Sequence, residues 1–225
     1  MLDEPELDAE RLALDRSLAE ALAARIAAGP HARADARALA LREGLRNAGP
    51  VEAAVLHAVH GRMEAAGGRR FVASGPLSAV LAADRWGQVT PVADAETALG
   101  RVDPSVSALI DLGERPWWGR LLARPDLRVV EALPDDRAGT PRALLISCEP
   151  SGPTGDDRTF WVTDSPLSDV RIRADLAERG LAATPMTQAG GLKLYAIAGY
   201  VQPEDGRLHQ APGALSGVIG SAPIY

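Results

Sequence analysis

The side chains best suited to chemistry in this chain are its arginines. Of 24 basic residues, Lys193 alone is a lysine. Any anion site must therefore be built from guanidinium groups, which grip carboxylates in bidentate pairs. Arg11, Leu18 and Arg25 recur at intervals of seven. Both arginines thus stand beside the apolar seam of one helix, where they either snorkel along its edge or face an anion held between helices. Arg37 lies on the next helical stretch. His57, His60 and Glu64 share one helical face, at spacings of three and four, as helix-borne metal ligands do. One helix supplies only one side of such a site and the sequence offers no partner cluster. A solvated polar face is the preferred reading, and no metal or cofactor is expected. Gly75-Pro76-Leu77-Ser78 ends a strand pattern and opens a helical one, so its backbone N–H groups are placed to meet an anion. No Ser/His/Asp constellation, P-loop or dinucleotide fingerprint occurs.

These residues need elements to position them. Leu7, Leu14, Leu18, Leu22 and Ile26 form the stripe of an amphipathic helix that Gly29-Pro30 stops. A second helix is predicted over Ala34 to Arg46. A third, over Val51 to Ala66, carries Val51, Val55, Val59 and Met63 on one face and ends at Gly67-Gly68. Three helices this lean bury little alone and should pack on the rest of the chain or on a second copy. From 69 to 148, short apolar runs alternate with helical patterns, which predicts an α/β unit with a mostly parallel sheet. From 155 onward the order reads β-α-β-β-α-β. A helix over Leu167 to Arg179 follows Ser165-Pro166, Gly190-Gly191 turns a hairpin, and a short helix is predicted over Pro212 to Ser216; this order is ferredoxin-like. The expected fold class is thus α+β, with units at 1–68, 69–150 and 155–225.

Composition narrows the function classes. A net charge of −6 and a pI near 5.3 argue against nucleic acid. One cysteine, Cys148, permits neither a disulfide framework nor a cysteine zinc site within the chain. The acidic start lacks the apolar core of a signal peptide and no run is long enough to span a bilayer, so a cytoplasmic protein without membrane partners is expected.

The stretch Leu14-Asp15-Arg16-Ser17-Leu18 through Arg25 resembles the first helix of the all-helical chorismate mutases, with Arg25 on the family's carboxylate-binding arginine. The segment around Arg37 resembles the family's second helix, although Ala38 stands in place of its glutamate. Gly75-Pro76-Leu77-Ser78, Ala108 to Glu114, and Gly139-Thr140-Pro141-Arg142 resemble one lobe of prephenate dehydratase, with Pro141 in place of its threonine and with no second lobe. The tail is similar to the ACT domains that follow that enzyme, without their ligand motifs.

This resemblance implies a chorismate mutase-like protein of aromatic amino-acid metabolism. If active, it would rearrange chorismate to prephenate, with Arg11, Arg25 and Arg37 as carboxylate clamps. The alternative is a catalytically silent small-molecule-binding or regulatory homologue of the mutase/dehydratase protein. The implied partners are a dicarboxylate and a second copy of the chain, joined through the ACT-like tail as a homodimer.

Overall fold

The computed structural model describes residues 8–29, 33–113 and 115–225. Leu7, Pro30 and Glu114, which entered the sequence reading, lie outside them.

Three helices come first: α1 (Ala9–Ala27), α2 (Ala34–Leu45) and α3 (Pro50–Ala66). Gly29, at φ +75°, ends the first where the Gly-Pro signal predicts. An α/β stretch follows with β1 (Arg70–Ser74), α4 (Pro76–Trp86), β2 (Thr90–Pro91), α5 (Ala95–Gly100) and β3 (Val106–Asp111). A 3-10 helical segment (Trp117–Ala123) leads to β4 (Arg128–Leu133) and β5 (Ala143–Ser147). The remainder comprises β6 (Asp157–Thr163), α6 (Asp169–Glu178), β7 (Ala183–Ala189), β8 (Leu192–Ala198) and β9 (Ser216–Pro223).

The expected fold class requires correction. All nine strands join one mixed sheet, in the order β2-β1-β3-β5-β4-β9-β6-β8-β7. A small, mostly parallel sheet with a separate ferredoxin-like, ACT-like domain is not what forms. β1 pairs in parallel with β2 and β3, but β5 lies antiparallel to both β3 and β4. The reason is the short path from β4 to β5: an antiparallel return needs only a loop, whereas a parallel one needs a crossover of a dozen residues or more. The two stretches of sheet then fuse where β4 meets β9 in parallel at Val129 and Gly220. Gly220 has φ +132°, and a side chain there would collide with the Val129 backbone. Only glycine permits that approach.

Two smaller expectations also change. Ser168, not Ser165, caps α6, accepting from the Arg171 N–H at 3.4 Å. No helix forms over 212–216; a single 3-10 turn occupies Gly206–Leu208 instead. The Gly190-Gly191 hairpin forms as its sequence predicts, both glycines adopting positive φ.

Burial explains why the sheet holds together. β3 and β5 are apolar on both faces, as strands covered on both sides must be. On one face Phe71, Leu109 and Leu145 pack with Ala34 of α2 and with Ala82 and Trp86 of α4. On the other, a continuous core runs from Leu99 of α5 through Ile110, Ile146 and Val129 to Phe160, Val162 and Leu194. Trp117 and Trp118 belong to this core, so the tryptophan pair covers the sheet from within the chain. Trp161, Tyr195 and Ile197 turn the opposite way and receive Ile172 and Leu176 of α6. Among the described residues, no helix is long and apolar enough to cross a membrane.

Candidate functional site

Three places in the fold gather charged groups. The first is the strand-to-helix turn at Gly75. Its N–H groups do meet an anion, and the anion is the chain's own. Asp111, at the end of β3, accepts from the Leu77 N–H at 3.1 Å, the Ser78 N–H at 2.6 Å and the Ser78 hydroxyl at 2.5 Å. Gly75, at φ +105°, leaves the space that this carboxylate fills; a Cβ there would strike it. The positive end of α4 is therefore already neutralised.

The second is a buried ionic cluster beneath α2, α3 and α4. Arg37 pairs with Glu64 and, through both terminal nitrogens, with Glu149 at 2.7 and 3.3 Å. Arg69 also reaches Glu149, and the Trp86 indole donates to Glu64 at 3.0 Å. Nearby, Arg85 bonds Asp135 at 2.6 Å, contacts His57, and lies 3.7 Å from Glu131. Tyr225 stands edge-on to His57, with ring centroids 5.2 Å apart.

Burial opposes the charge on Arg37, yet Glu64 and Glu149 outweigh it and hold its pKa above the ordinary value. Burial likewise opposes ionisation of Glu149, but its bonds to Arg37 and Arg69 win and its pKa falls. Glu131 differs. Largely buried and without a hydrogen bond to Arg85, it is pushed up to about 7, burial outweighing the attraction of Arg85. His57 is lowered by burial first and by Arg85 second. A void of only 20 Å³ remains among Arg37, His60, Glu64, Arg85, Glu131 and Tyr225. It has no room for an organic ligand.

These positions settle where the sequence-predicted residues go. Arg11 is exposed at the start of α1 and pairs with Asp8 at 3.1 Å. Arg25, in the last turn of the same helix, donates to the Gly29 carbonyl at 2.8 Å. At 1.5 Å per residue the two stand roughly 21 Å apart along the helix axis and do not share a pocket within one chain. Arg37 is held in the buried cluster. Of the three, only Arg37 lines one of the cavities described here. His57 is held against Asp135 and Arg85, Glu64 is ion-paired with Arg37, and among the described residues no group of three or more histidine, cysteine or acidic side chains is placed to hold a metal.

The third place is an open groove of about 800 Å³, missed in the sequence. It is bounded by the 137–141 loop, by the Val170–Ala177 side of α6, and by β6, β7 and β8. Its surface is mostly small and apolar, with Ala177, Ala183, Ala196 and Ala198 leaving the volume open. Among the described residues three arginines line it, Arg137, Arg158 and Arg173, and no carboxylate does. Arg137 is tied to Asp156. Arg158 is half-buried and donates to the Gly139 carbonyl at 3.3 Å; among the described residues no carboxylate lies within ion-pair distance of it. Burial lowers its pKa, offset in part by Asp136 and Asp156. The sequence did hold a signal: Ala182-Ala183, Ala196 and Ala198 are unusually small for strands, which favour β-branched and aromatic residues.

No protein-family model matches the chain, and no curated protein does. Among solved structures the chain is similar to GqqA, described as a novel type of quorum quenching acylase. Identity is 20%, the match covers 70% of this chain and 96% of that one, and the TM-score is 0.45. A likeness this distant carries no argument about activity. The resemblance to chorismate mutase, prephenate dehydratase and ACT domains is overturned by the single nine-stranded mixed sheet and has no family match behind it. With it fall the chorismate rearrangement, the silent-homologue alternative and the placement in aromatic amino-acid biosynthesis. The physical reason lies in the helices. Rather than enclosing an arginine-lined pocket, α2 and α3 lie over the buried cluster, and α1 buries no residue.

Proposed function

We propose that this protein binds an organic anion with an apolar body in the groove, with Arg158 taking the anionic group. The observation that carries this is a half-buried guanidinium with, among the described residues, no carboxylate at ion-pair distance, facing a cavity that three arginines and no described acid line. In a chain of net charge −6 such a surface is chemically distinct, and it selects for negative charge. The volume falls within the range of about 300–1,000 Å³ typical of small-molecule sites. The alanine floor suits a hydrocarbon chain or ring, whose burial contributes about 0.8 kcal/mol per methylene.

Binding rather than turnover is the favoured chemistry. Among the described residues, the groove's side-chain hydroxyls are those of Thr140 and Thr184, and no histidine, cysteine, lysine or carboxylate lines it to serve as nucleophile or general base.

Calorimetric titration with hexanoate, octanoate and decanoate tests the reading. Affinity should rise with chain length, disappear for the matching alcohols, and fall at least about tenfold in Arg158→Gln, the loss of a charge-assisted pair. Equal binding of alcohol and carboxylate, or unchanged binding by Arg158→Gln, would remove the proposal.

A further inference from the structure

The sheet parts beside β9. On one side β6 accompanies that strand along its length, from Asp157 opposite Pro223 to Thr163 opposite Ser216. On the other side β4 pairs with it only at Val129 and Gly220. Two features separate the strands there. The β6 register passes from Phe160 opposite Gly220 to Trp161 opposite Val218, which leaves Ile219 as an extra residue, and such a bulge bends its strand. The chain ahead of β4 turns away at Pro125 and Asp126, where the Leu127 N–H donates to the Arg124 carbonyl at 2.9 Å. Among the described residues, no strand pairs with residues 216–219 on that side. A cavity of about 460 Å³ opens there, and the residues from Ser216 to Ser221 line it without a gap. Side chains alternate between the two faces of a strand, so a lining of consecutive residues marks a slot along the edge rather than a pocket on one face.

We infer that this slot binds the C-terminal end of an extended peptide, which adds a parallel strand along the open edge of β9 and sets its carboxylate against Arg128. The occupant follows from two capacities left unused. An open strand edge presents backbone N–H and C=O groups, and an extended backbone is the ligand that matches them in spacing. Arg128 supplies the charge. Its Nε is shut from solvent without a hydrogen-bond partner, and its Nη2 makes one long bond, to the Pro125 carbonyl at 3.4 Å. Among the described residues no carboxylate lies within ion-pair distance of it, and a peptide's terminal carboxylate grips a guanidinium in a bidentate pair. Position then gives direction. Arg128 precedes Val129, which sits opposite Gly220, so it stands at the Gly220 end of the slot. A peptide ending there runs from Ser216 toward Gly220, in line with β4 and parallel to β9. At about 3.3 Å per residue, residues 216–219 offer roughly 13 Å, room for about four residues of the ligand. Leu121, Leu122, Val201 and Leu215 line the slot and favour apolar side chains on the peptide. Glu204, the one acid lining it among the described residues, is exposed and disfavours an acidic residue there. The slot shares no lining residue with the groove, so neither reading depends on the other.

Fluorescence anisotropy with the full chain tests it. The probe is a fluorescein-labelled pentapeptide pool, glycine and serine followed by three positions drawn from alanine, valine and leucine. With a free C-terminus the pool should bind saturably, and its C-terminal amide should bind at least about tenfold more weakly, the loss of a charge-assisted pair. Methylating the last three backbone nitrogens removes the peptide's ladder donors without touching the protein, and should also weaken binding at least about tenfold. Arg128→Gln should bind acid and amide equally weakly and melt as the wild type does, since no ion pair is lost with the guanidinium. Absence of saturable binding, equal binding of acid and amide by the wild type, or binding that survives methylation overturns the slot. So does peptide binding that is lost in Arg158→Gln yet kept in Arg128→Gln, which would place the peptide in the groove.

Discussion

The arginines of the buried cluster and those of the groove are the same side chain in opposite circumstances. Arg37, Arg69 and Arg85 are enclosed and matched by Glu64, Glu149 and Asp135. Arg158 is half-open, bonded to a carbonyl and, among the described residues, without a carboxylate at ion-pair distance, Asp136 and Asp156 acting on it only from further away. The first set has consumed its capacity to bind anions in holding α2, α3 and α4 onto the sheet. The second retains it. An arginine's presence thus says little about ligand binding; what counts is whether the chain supplies the counter-charge.

The sharpest way to break this contrast is to remove a member of each set. Arg37→Ala strands Glu64 and Glu149 without their main partner, and losing one side of a buried pair costs about 3–5 kcal/mol. Urea unfolding should show that loss, whereas Arg158→Gln should change stability by under about 1 kcal/mol while weakening anion binding at least about tenfold. Equal losses in the two variants would erase the distinction.

A second test uses pH. Glu131 has a folded-state pKa raised to about 7 from an ordinary 4.5. Its contribution to stability is therefore present in full below the ordinary value and is lost as pH rises through about 7, a loss on the order of 3 kcal/mol. His57 acts in the other sense: its lowered pKa gives a contribution present above the ordinary histidine value and lost as pH falls below it. Melting temperatures followed from about pH 6 to about pH 8 should decline in the wild type, and Glu131→Gln should flatten the decline. An equal slope in both proteins would show that Glu131 is not the group responsible.

The smallest effect belongs to the turn before α4, where an own-chain carboxylate already sits at a helix N-terminus. Asp111→Asn keeps the shape but removes the charge that faces Leu77 and Ser78, and should cost about 1–2 kcal/mol. The same variant should gain no affinity for added phosphate, because the amide still occupies the turn. Phosphate binding there would make the Gly75 turn a second open anion site and blur the contrast drawn above.

Much of the secondary structure was legible because its signals are local. Gly29 stops α1, Gly190-Gly191 turns the β7–β8 hairpin, Gly180 ends α6, and continuous apolar runs mark β3 and β5. What misled was the inference from element order to architecture. β5 follows β4 closely enough to return antiparallel, and that choice is made by pairing with β3, which no local pattern encodes. The resemblance likewise rested on residues a few positions apart, whereas the settings of Arg11, Arg25 and Arg37 depend on what each meets in space.

By itself the sequence determined the helices and most of the strands, the absence of any lysine-rich or cysteine-based chemistry, and the reliance on guanidinium groups. Those follow from periodicity, turn residues and composition, all short-range properties. Tertiary structure alone decided which arginines are spent. Arg37 and Glu149 are 112 residues apart in the chain, and β4 and β9 meet only because Gly220 lets their backbones close. Charge pairing and sheet fusion depend on distance in space and on exclusion of water, and neither is written in the spacing of residues along the chain.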